Sequence, residues 1–260
     1  METYHSKLYS IYEDDISAPN NKFIMGHLSF DHVHDAKEMI KAYRTTGLQK
    51  MYMIAEVSGT SYDKLRRIVN RCIPPDDIFR SEAIEYLEKK DTFAFIRLYT
   101  LETKFYHDLQ NDNAAFTANI FINLAKFQNR AFQGRTYRGT KIAHFDVVAW
   151  KWATKKSGRI IETQTFVSTS ELEQIAKDFA QNPPENKVSA LFIFDFPTTC
   201  DTAIKLNKDE SKNITDNLSK FPHEQEVLVT PYTLFEINSV DFDENTKWYR
   251  IHVTNIPIIF

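Results

Sequence analysis

The sequence predicts an α+β protein in which a mostly helical first half precedes a largely antiparallel β-sheet. Up to Gly134, apolar side chains recur at steps of three and four residues, which is the spacing of amphipathic helices. After Gly134, short runs of β-branched and aromatic residues alternate with turn-forming residues, a pattern typical of strands. The 260 residues contain neither an internal repeat nor a low-complexity segment.

The periodicity before Gly134 predicts helices at 33–43, 61–72, 76–87, 93–109 and 116–127. The second of these begins at a capping residue near Ser61 and ends at Pro74-Pro75. In the third, Ile78, Ala83 and Leu87 are predicted to face inward. Residues 1–28 show no firm period, and residues 51–57 fit either a strand or a helix.

Strands are predicted at 136–139, 163–167, 188–196, 226–229, 234–240 and 248–253, and a further helix at 172–179. The run from Val188 to Phe196 is strongly apolar. We therefore interpret it as a central strand that ends at Pro197, because proline cannot donate a hydrogen bond to a neighbouring strand.

The composition is that of a soluble globular protein, with 42% hydrophobic and 26% charged residues. A net charge of -3 provides no general attraction to nucleic acid or to an anionic membrane surface. No apolar run approaches the roughly 18 residues of a membrane-spanning helix. We therefore expect no nucleic-acid partner and no membrane partner.

The first residues, Met1 to Lys7, lack the basic-then-apolar layout of a signal peptide. This predicts a cytoplasmic protein, unless a leader has been removed. Cys72 and Cys200 are the only cysteines, too few for a disulfide framework or a cysteine-based metal site. A single disulfide between them stays open, and no metal is expected.

Two carboxylates, Glu224 and Glu226, lie in the segment Phe221-Pro-His-Glu-Gln-Glu-Val-Leu-Val-Thr230, just before an apolar run. In an extended chain, side chains alternate, so both glutamates would share one side and Gln225 would face away. The apolar run predicts a buried strand. The pair is therefore expected at the edge of a sheet, within reach of a ligand. A solvated pair without function is the alternative.

The segment Thr136-Tyr-Arg-Gly-Thr140 places Arg138 in a predicted strand with Gly139 directly after it. A guanidinium there can hold a phosphate or carboxylate through two hydrogen bonds, and the glycine would let a ligand approach the backbone. An ordinary surface arginine is the alternative. Gly134 and Gly139 are spaced as in a phosphate loop, but Thr140-Lys141 is in the wrong order for that motif, which excludes a nucleoside-triphosphate site of this kind.

Three hydroxyl residues, Ser168, Thr169 and Ser170, follow a predicted strand and precede a helix. Ser170 and Glu173 fit a capping box, which explains Ser170 without a catalytic role. Ser168, at the end of the strand, could orient a neighbouring carboxylate. It is not predicted to be a nucleophile, because no Gly-x-Ser-x-Gly turn surrounds it and no histidine lies near it in the sequence.

Together, Tyr137-Arg-Gly-Thr140, Ser168-Thr-Ser170 and Glu224-Gln-Glu-Val-Leu228 follow the order and rough spacing of the R-S-E class of mono-ADP-ribosyltransferases. The chain resembles the arginine-specific, cholera-toxin-like branch of that family, found among vertebrate ecto-enzymes and bacterial toxins. The segment Ile96 to Tyr106 also resembles the helical lead-in of the animal members. The match covers about residues 93 to 240. We therefore divide the chain into a mostly helical extension, 1–90, and a catalytic domain, 91–260.

This resemblance implies a split β-sandwich around a cleft that binds NAD as co-substrate. Arg138 would hold the NAD phosphates or the adjoining ribose, and the Gly139 backbone would bind the nicotinamide amide. Ser168 would keep Glu226 in position, and Glu226 would be the catalytic carboxylate. Glu224 would orient an incoming arginine.

The resemblance also implies that Thr169 and Ser170 belong to the NAD site. Phe179 would contribute to the wall near nicotinamide, although core packing explains it equally well.

The chemistry of ADP-ribose transfer agrees with the roles implied for the two glutamates. Breaking an N-glycosidic bond builds an oxocarbenium-like centre that one carboxylate stabilises. Nicotinamide leaves neutral and needs no proton, so the second carboxylate can align the acceptor and take its proton.

Three functions are compatible with this pattern. The first is an arginine-directed transferase, whose partners are NAD and a protein with an exposed arginine. The second is an NAD glycohydrolase in which water replaces the protein acceptor. The third is a non-catalytic NAD-binding module. The signal peptide and core disulfides of the animal ecto-members are missing here, which favours an intracellular or host-directed enzyme.

Overall fold

The computed structural model describes residues 23–26, 61–89, 91–101, 105, 116, 119–120, 123–154, 160–163, 165–207, 217–231 and 233–257. The helix predicted at 33–43 and the segment 51–57 lie outside these residues. Within residues 1–28, where the sequence shows no period, Phe23–Gly26 forms a short strand, β1.

The helices described before Gly134 are α1 (Ser61–Cys72), α2 (Arg80–Lys89) and α3 (Thr92–Thr100). The prediction for α1 is confirmed. The prediction that the next helix starts at Asp76-Asp77 is wrong, because Asp77 accepts the N–H of Phe79 in a turn before α2. Ile78, predicted to face inward, lies in this turn and is 87% exposed.

The α3 helix is shorter than predicted, because the backbone becomes extended at Leu101. Asp91 caps its start, where the carboxylate accepts the N–H of Ala94. Phe116 and Ile120 are helical, as predicted, but the helix does not continue to Phe127. Residues Leu124–Arg130 form a 3₁₀ helix instead.

The helices share one apolar core with the adjacent end of the sheet. Leu65 of α1, Leu87 of α2 and Phe95 of α3 belong to the same buried cluster as Phe166 and Leu228. Helices on both sides of residue 90 thus pack together, and the domain boundary at that position stays a prediction.

The remaining strands are β2 (Ala131–Ala143), β3 (Ile160–Thr163), β4 (Val167–Ser170), β5 (Lys187–Lys205), β6 (Glu226–Val229), β7 (Leu234–Asp243) and β8 (Trp248–Asn255). Between them lie α4 (His144–Thr154), which was not predicted, and α5 (Glu173–Ala180). The described strands follow the order β1-β3-β7-β8-β5-β2-β4-β6. Only the β5–β8 pair is parallel among them. The α+β class with a largely antiparallel sheet is confirmed.

The long strand β5 connects the two ends of this sheet. Its first part pairs with β2 and β8, and its last three residues pair with β6. The prediction that it ends at Pro197 is wrong. The β2–β5 register shifts where Phe132 faces Cys200 and Gly134 faces Phe196, so Pro197 lies in a bulge that tolerates its missing N–H. Because hydrogen bonds link all the described strands, the split into two layers stays a prediction.

The prediction of one continuous strand over residues 163–167 is also wrong. β3 ends at Thr163 and β4 begins at Val167, so Thr165 and Phe166 lie in the connection. Phe166 resembles a strand residue in the sequence, but its ring packs edge-on against Phe116 with centroids 5.0 Å apart. Packing against the helical core therefore explains this apolar residue.

Cys72 and Cys200 are both buried, and no disulfide joins them. Across the described ranges, no helix combines the length and the apolar character needed to cross a membrane. The same ranges contain no cluster of three or more acidic, histidine or cysteine side chains suited to a metal ion.

Candidate functional site

A cavity of about 760 Å³ opens between β2, β4, α5, the end of α3 and the segment that leads into β6. Pockets for small ligands typically measure roughly 300–1,000 Å³. All the site residues predicted from the sequence line this cavity: Arg138, Gly139, Ser168, Thr169, Ser170, Phe179, Glu224 and Glu226. The structure therefore brings together three segments that are far apart in the chain.

The short strand β4 makes this convergence possible, because it pairs with β2 on one side and β6 on the other. Tyr137 of β2 lies opposite Ser170. On the other side, Ser168 is paired with Leu228 and Ser170 with Glu226. The arginine strand, the serine strand and the glutamate strand are thus neighbours in the sheet.

Glu226 is the most deeply buried carboxylate of the site, with 6% of its surface exposed. Its Oε1 accepts a hydrogen bond from the Ser168 hydroxyl at 2.5 Å. Burial raises the pKa of Glu226 to about 7, and the nearby Glu224 carboxylate adds to the increase. Hydrogen bonds from Ser168 and Ser219, together with the positive charge of Arg138, oppose that increase.

Glu224 faces the same cavity as Glu226, but not through strand alternation as predicted. Pro222–Glu224 forms a 3₁₀ turn, and Gln225 adopts the left-handed conformation, with φ 45° and ψ 55°. The Ser170 hydroxyl donates to the Glu224 carbonyl at 2.6 Å, and the Glu171 N–H donates to the Gln225 carbonyl at 3.1 Å. The two bonds tie the turn to the end of β4.

Arg138 extends along the end of β4. Its Nη1 donates to the Ser168 carbonyl at 2.7 Å, so the same residue that contacts Glu226 through its side chain orients the arginine through its backbone. Lys141 and Lys187 line the cavity as well. Together, the three basic side chains give this part of the cavity a positive charge, which suits a phosphate-bearing ligand.

The close packing of α5 explains why position 139 is a glycine. A Cβ atom at this position would lie 1.6 Å from the carbonyl oxygen of Ala176, in α5. The missing side chain thus lets α5 pack directly on β2, whereas the sequence pattern predicted that it admits a ligand. Phe179, on the same helix, lines the cavity and is 59% exposed, so core packing does not explain it.

The hydroxyls of Thr169 and Ser170 bind protein backbone. Thr169 donates to the Val227 carbonyl at 2.7 Å, and Ser170, besides donating to Glu224, accepts the N–H of Leu172. The predicted capping box is wrong, because α5 begins at Glu173 and its N-cap, Leu172, has no side-chain cap. Both hydroxyls therefore stabilise the strands and turn that carry the glutamates.

Several residues of the site were not predicted from the sequence. Ser219, which lowers the pKa of Glu226, was not selected. The only signal for Ser219 in the sequence is its position, seven residues before Glu226, in the connection that leads from β5 into β6. Tyr99, Thr100 and Leu101 at the end of α3 line the cavity. Their segment was noted as resembling a helical lead-in, without a role at the site.

No protein-family profile matches the chain, and no curated protein matches it. Solved structures do match. The ADP-ribosyltransferase HopU1 of Pseudomonas syringae pv. tomato DC3000 is 14% identical, with a TM-score of 0.52 over 76% of this chain and 98% of that one. The Vis toxin, an ADP-ribosyltransferase from Vibrio splendidus, is 19% identical, with a TM-score of 0.37 over 85% of this chain and 86% of that one.

Exoenzyme S from Pseudomonas aeruginosa is 16% identical, with a TM-score of 0.46 over 74% of this chain and 88% of that one. At such low identities a likeness bears on the fold alone. The match to HopU1 shows that this chain has the fold of an ADP-ribosyltransferase.

Proposed function

We propose that this protein transfers ADP-ribose from NAD to the guanidinium of a protein arginine and releases nicotinamide. One observation carries the proposal: the buried Glu226 carboxylate, held by Ser168, lines the same cavity as Arg138 and Glu224. The fold shared with HopU1, an ADP-ribosyltransferase, supports NAD as the donor. The proposal also agrees with the R-S-E order of the three sequence segments.

Recognition of NAD begins with its two phosphates. Arg138, Lys141 and Lys187 line the cavity and supply positive charge to the pyrophosphate. The Arg138 guanidinium is already oriented by its bond to the Ser168 carbonyl, so little side-chain freedom is lost when the anion binds. The nicotinamide end of NAD then lies toward Glu226, at the other side of Arg138.

Glu226 promotes the breaking of the N-glycosidic bond. The bonding electron pair leaves with the nicotinamide nitrogen, which becomes neutral, and positive charge develops on the ribose carbon. An ionised carboxylate in a poorly hydrated site stabilises that charge strongly. The hydrogen bond from Ser168 keeps the carboxylate in one orientation, so the protein does not have to reorganise during the step.

Glu224 acts on the acceptor. It lies on the turn at the cavity, where its carboxylate can pair with a guanidinium through two parallel hydrogen bonds. A guanidinium nitrogen forms the new bond to the ribose carbon and loses one proton, which Glu224 accepts. The reaction thus consumes NAD and arginine, and yields ADP-ribosyl-arginine, nicotinamide and one proton.

The test is to incubate the protein with NAD labelled in its adenine, with and without agmatine. This guanidine is a suitable acceptor because it occupies the Vis toxin in one of its structures. We expect label on agmatine and release of nicotinamide. Free ADP-ribose as the only product would indicate a glycohydrolase, and NAD binding without turnover would indicate a non-catalytic module. Either result would overturn the proposal. Glu226→Gln is the control for turnover by a contaminant.

A further inference from the structure

The residues that join β4 to α5 hold the turn 222–225, which carries Glu224 and which we call the glutamate turn. The Glu171 N–H donates to the Gln225 carbonyl at 3.1 Å, and the Ser170 hydroxyl donates to the Glu224 carbonyl at 2.6 Å. These carbonyls belong to the peptide groups before and after the left-handed Gln225. That conformation is unfavourable for a residue with a side chain and persists only where its surroundings hold it. The two bonds therefore set the course of the glutamate turn.

Glu171 is itself held by an ion pair with Lys205, the last residue of β5. The Lys205 Nζ atom lies 2.8 Å from Oε1 of Glu171. Both side chains are partly shielded from solvent, with 34% of the lysine and 23% of the glutamate exposed. The Oε1 atom is buried, and within the described ranges it accepts no hydrogen bond. The lysine is thus the group that balances the charge of this atom, and its loss would leave a poorly solvated carboxylate.

The ion pair spans β6, the strand that begins with Glu226. Val227 of this strand faces Thr169 of β4 on one side and Lys205 of β5 on the other. The Lys205 side chain thus reaches across β6 to the residue that follows β4. Neither Lys205 nor Glu171 lines the cavity, so changing either side chain removes no contact inside it. An effect of the ion pair on the reaction must therefore pass through the protein backbone.

We propose that Lys205 and Glu171 are positioning residues for Glu224, which they place through the backbone of the glutamate turn. The inference rests on the proposed function in assigning the acceptor step to Glu224. Glu226 has a separate support, because strand pairing and the hydroxyl of Ser168 hold it. The ion pair therefore determines how much of the cleaved NAD is transferred to arginine instead of water, and it affects the cleavage itself much less.

The two acceptors differ in how strictly they depend on Glu224. Two parallel hydrogen bonds between a carboxylate and a guanidinium require a fixed direction of the carboxylate. A displacement of about 1 Å can lower the rate of such an aligned reaction about 100-fold. Attack by water needs no alignment of a guanidinium and yields free ADP-ribose, nicotinamide and one proton. A misplaced glutamate turn thus lowers transfer to arginine selectively.

The experiment reverses the charge of Lys205 and then restores the ion pair in exchanged order. Lys205→Glu places two carboxylates together, whereas Lys205→Glu combined with Glu171→Lys creates a new pair. Each protein is incubated with agmatine and with NAD labelled in its adenine, and ADP-ribosyl-agmatine and free ADP-ribose are quantified. We expect the ratio of the first product to the second to fall about tenfold in Lys205→Glu, with KM for NAD within about twofold of the parent. The double variant should return to within about threefold of the parent ratio.

Lys89→Glu is the matched control, because it makes the same change in net charge and breaks an ion pair with Glu85 on α2. It should keep the parent ratio. An unchanged ratio in Lys205→Glu would overturn the inference. So would an equal loss of both products, which a merely structural ion pair would cause, or a double variant that does not restore the ratio. If Lys205→Glu does not fold, Lys205→Met provides the test, since it removes the charge and keeps the aliphatic part of the side chain.

If the parent protein forms no ADP-ribosyl-agmatine, the proposed function fails, but the positioning of the turn is still tested. Hydrogen exchange of the Glu171 amide, followed by NMR, reports its bond to the Gln225 carbonyl without any NAD. We expect this amide to exchange about tenfold faster in Lys205→Glu than in the parent and in Lys89→Glu. Equal exchange rates in the three proteins would contradict the inference.

Discussion

The Ser168 hydroxyl donates to Oε1 of Glu226 across 2.5 Å, although 58 residues separate the two in the chain. The register of β4 and β6 creates this contact, because Ser168 faces Leu228 and Ser170 faces Glu226 across the two strands. The serine side chain thus bridges diagonally to the first residue of β6. The relationship therefore depends on strand pairing.

Ser168→Ala should lower the rate of NAD cleavage by about 10- to 100-fold, because a hydrogen bond to a charged group contributes about 1.5–3 kcal/mol. The measurement is kcat at saturating NAD. Ser239→Ala is the matched control, since it removes a serine-to-carboxylate bond to Asp241 on the exposed surface. Equal rates for Ser168→Ala and the control would contradict the assigned role.

The activity of the parent protein should depend on pH with a midpoint near neutrality. Burial raises the pKa of Glu226 to about 7, and stabilisation of an oxocarbenium-like centre requires the ionised form. Below that pH, kcat/KM for NAD should fall by about tenfold per pH unit as the carboxylate becomes protonated. The measurement is initial rate from pH 5 to 9. A profile that is flat down to pH 5 would contradict this prediction.

Glu226 should also make the fold less stable as the pH rises. Its pKa is raised from 4.5 to about 7, so between these values the unfolded chain has released a proton that the folded protein still holds. Stability therefore falls as pH increases through this window, by up to about 3 kcal/mol. In Glu226→Gln this decrease should disappear. Urea unfolding at pH 4.5 and pH 8 measures it, with Glu88→Gln on the exposed side of α2 as control.

Much of the site could be predicted from local patterns. The apolar run after Glu226 and the hydroxyls next to a strand are local signals, and the three segments do line one cavity. What the sequence could not show depends on tertiary contacts. The left-handed Gln225 is held by bonds from β4, and the bulge at Pro197 exists because β2 and β5 shift register.

Ser219 and Gly139 show the same limit. Ser219 lies in a segment, 217–220, that is bonded to α3 through contacts about 120 residues apart in the chain. Gly139 is explained by the approach of a helix 37 residues later, at Ala176. Neither relationship leaves a periodic pattern, because periodicity reports only which face of an element is buried.

Glu224→Gln should separate arginine modification from NAD cleavage. Glutamine keeps the size of the side chain but cannot accept the proton lost by the guanidinium, whereas Glu226 and its hydrogen bond from Ser168 are retained. We expect transfer to agmatine to fall by about 100-fold or more. The rate of NAD hydrolysis, in which water is the acceptor, should stay within about tenfold of the parent. Both products are quantified in one reaction. Transfer at the parent rate would exclude Glu224 from the acceptor step.

Gly139→Ala should destabilise the fold through α5. The added methyl group would lie 1.6 Å from the Ala176 carbonyl oxygen, and a backbone atom cannot move away by changing a rotamer. The helix must therefore shift outward from β2, at an expected loss of about 1–3 kcal/mol in the free energy of unfolding. Thermal and urea unfolding measure it.

The same variant tests two explanations of this glycine. If helix packing is the reason, the loss of stability appears without any ligand, and Ala176→Gly should not rescue it, because the clash involves the backbone carbonyl of that residue. If the reason is instead the approach of NAD to the backbone, Gly139→Ala would keep the parent stability and lose only NAD affinity. The distance to Ala176 leads us to expect the first result.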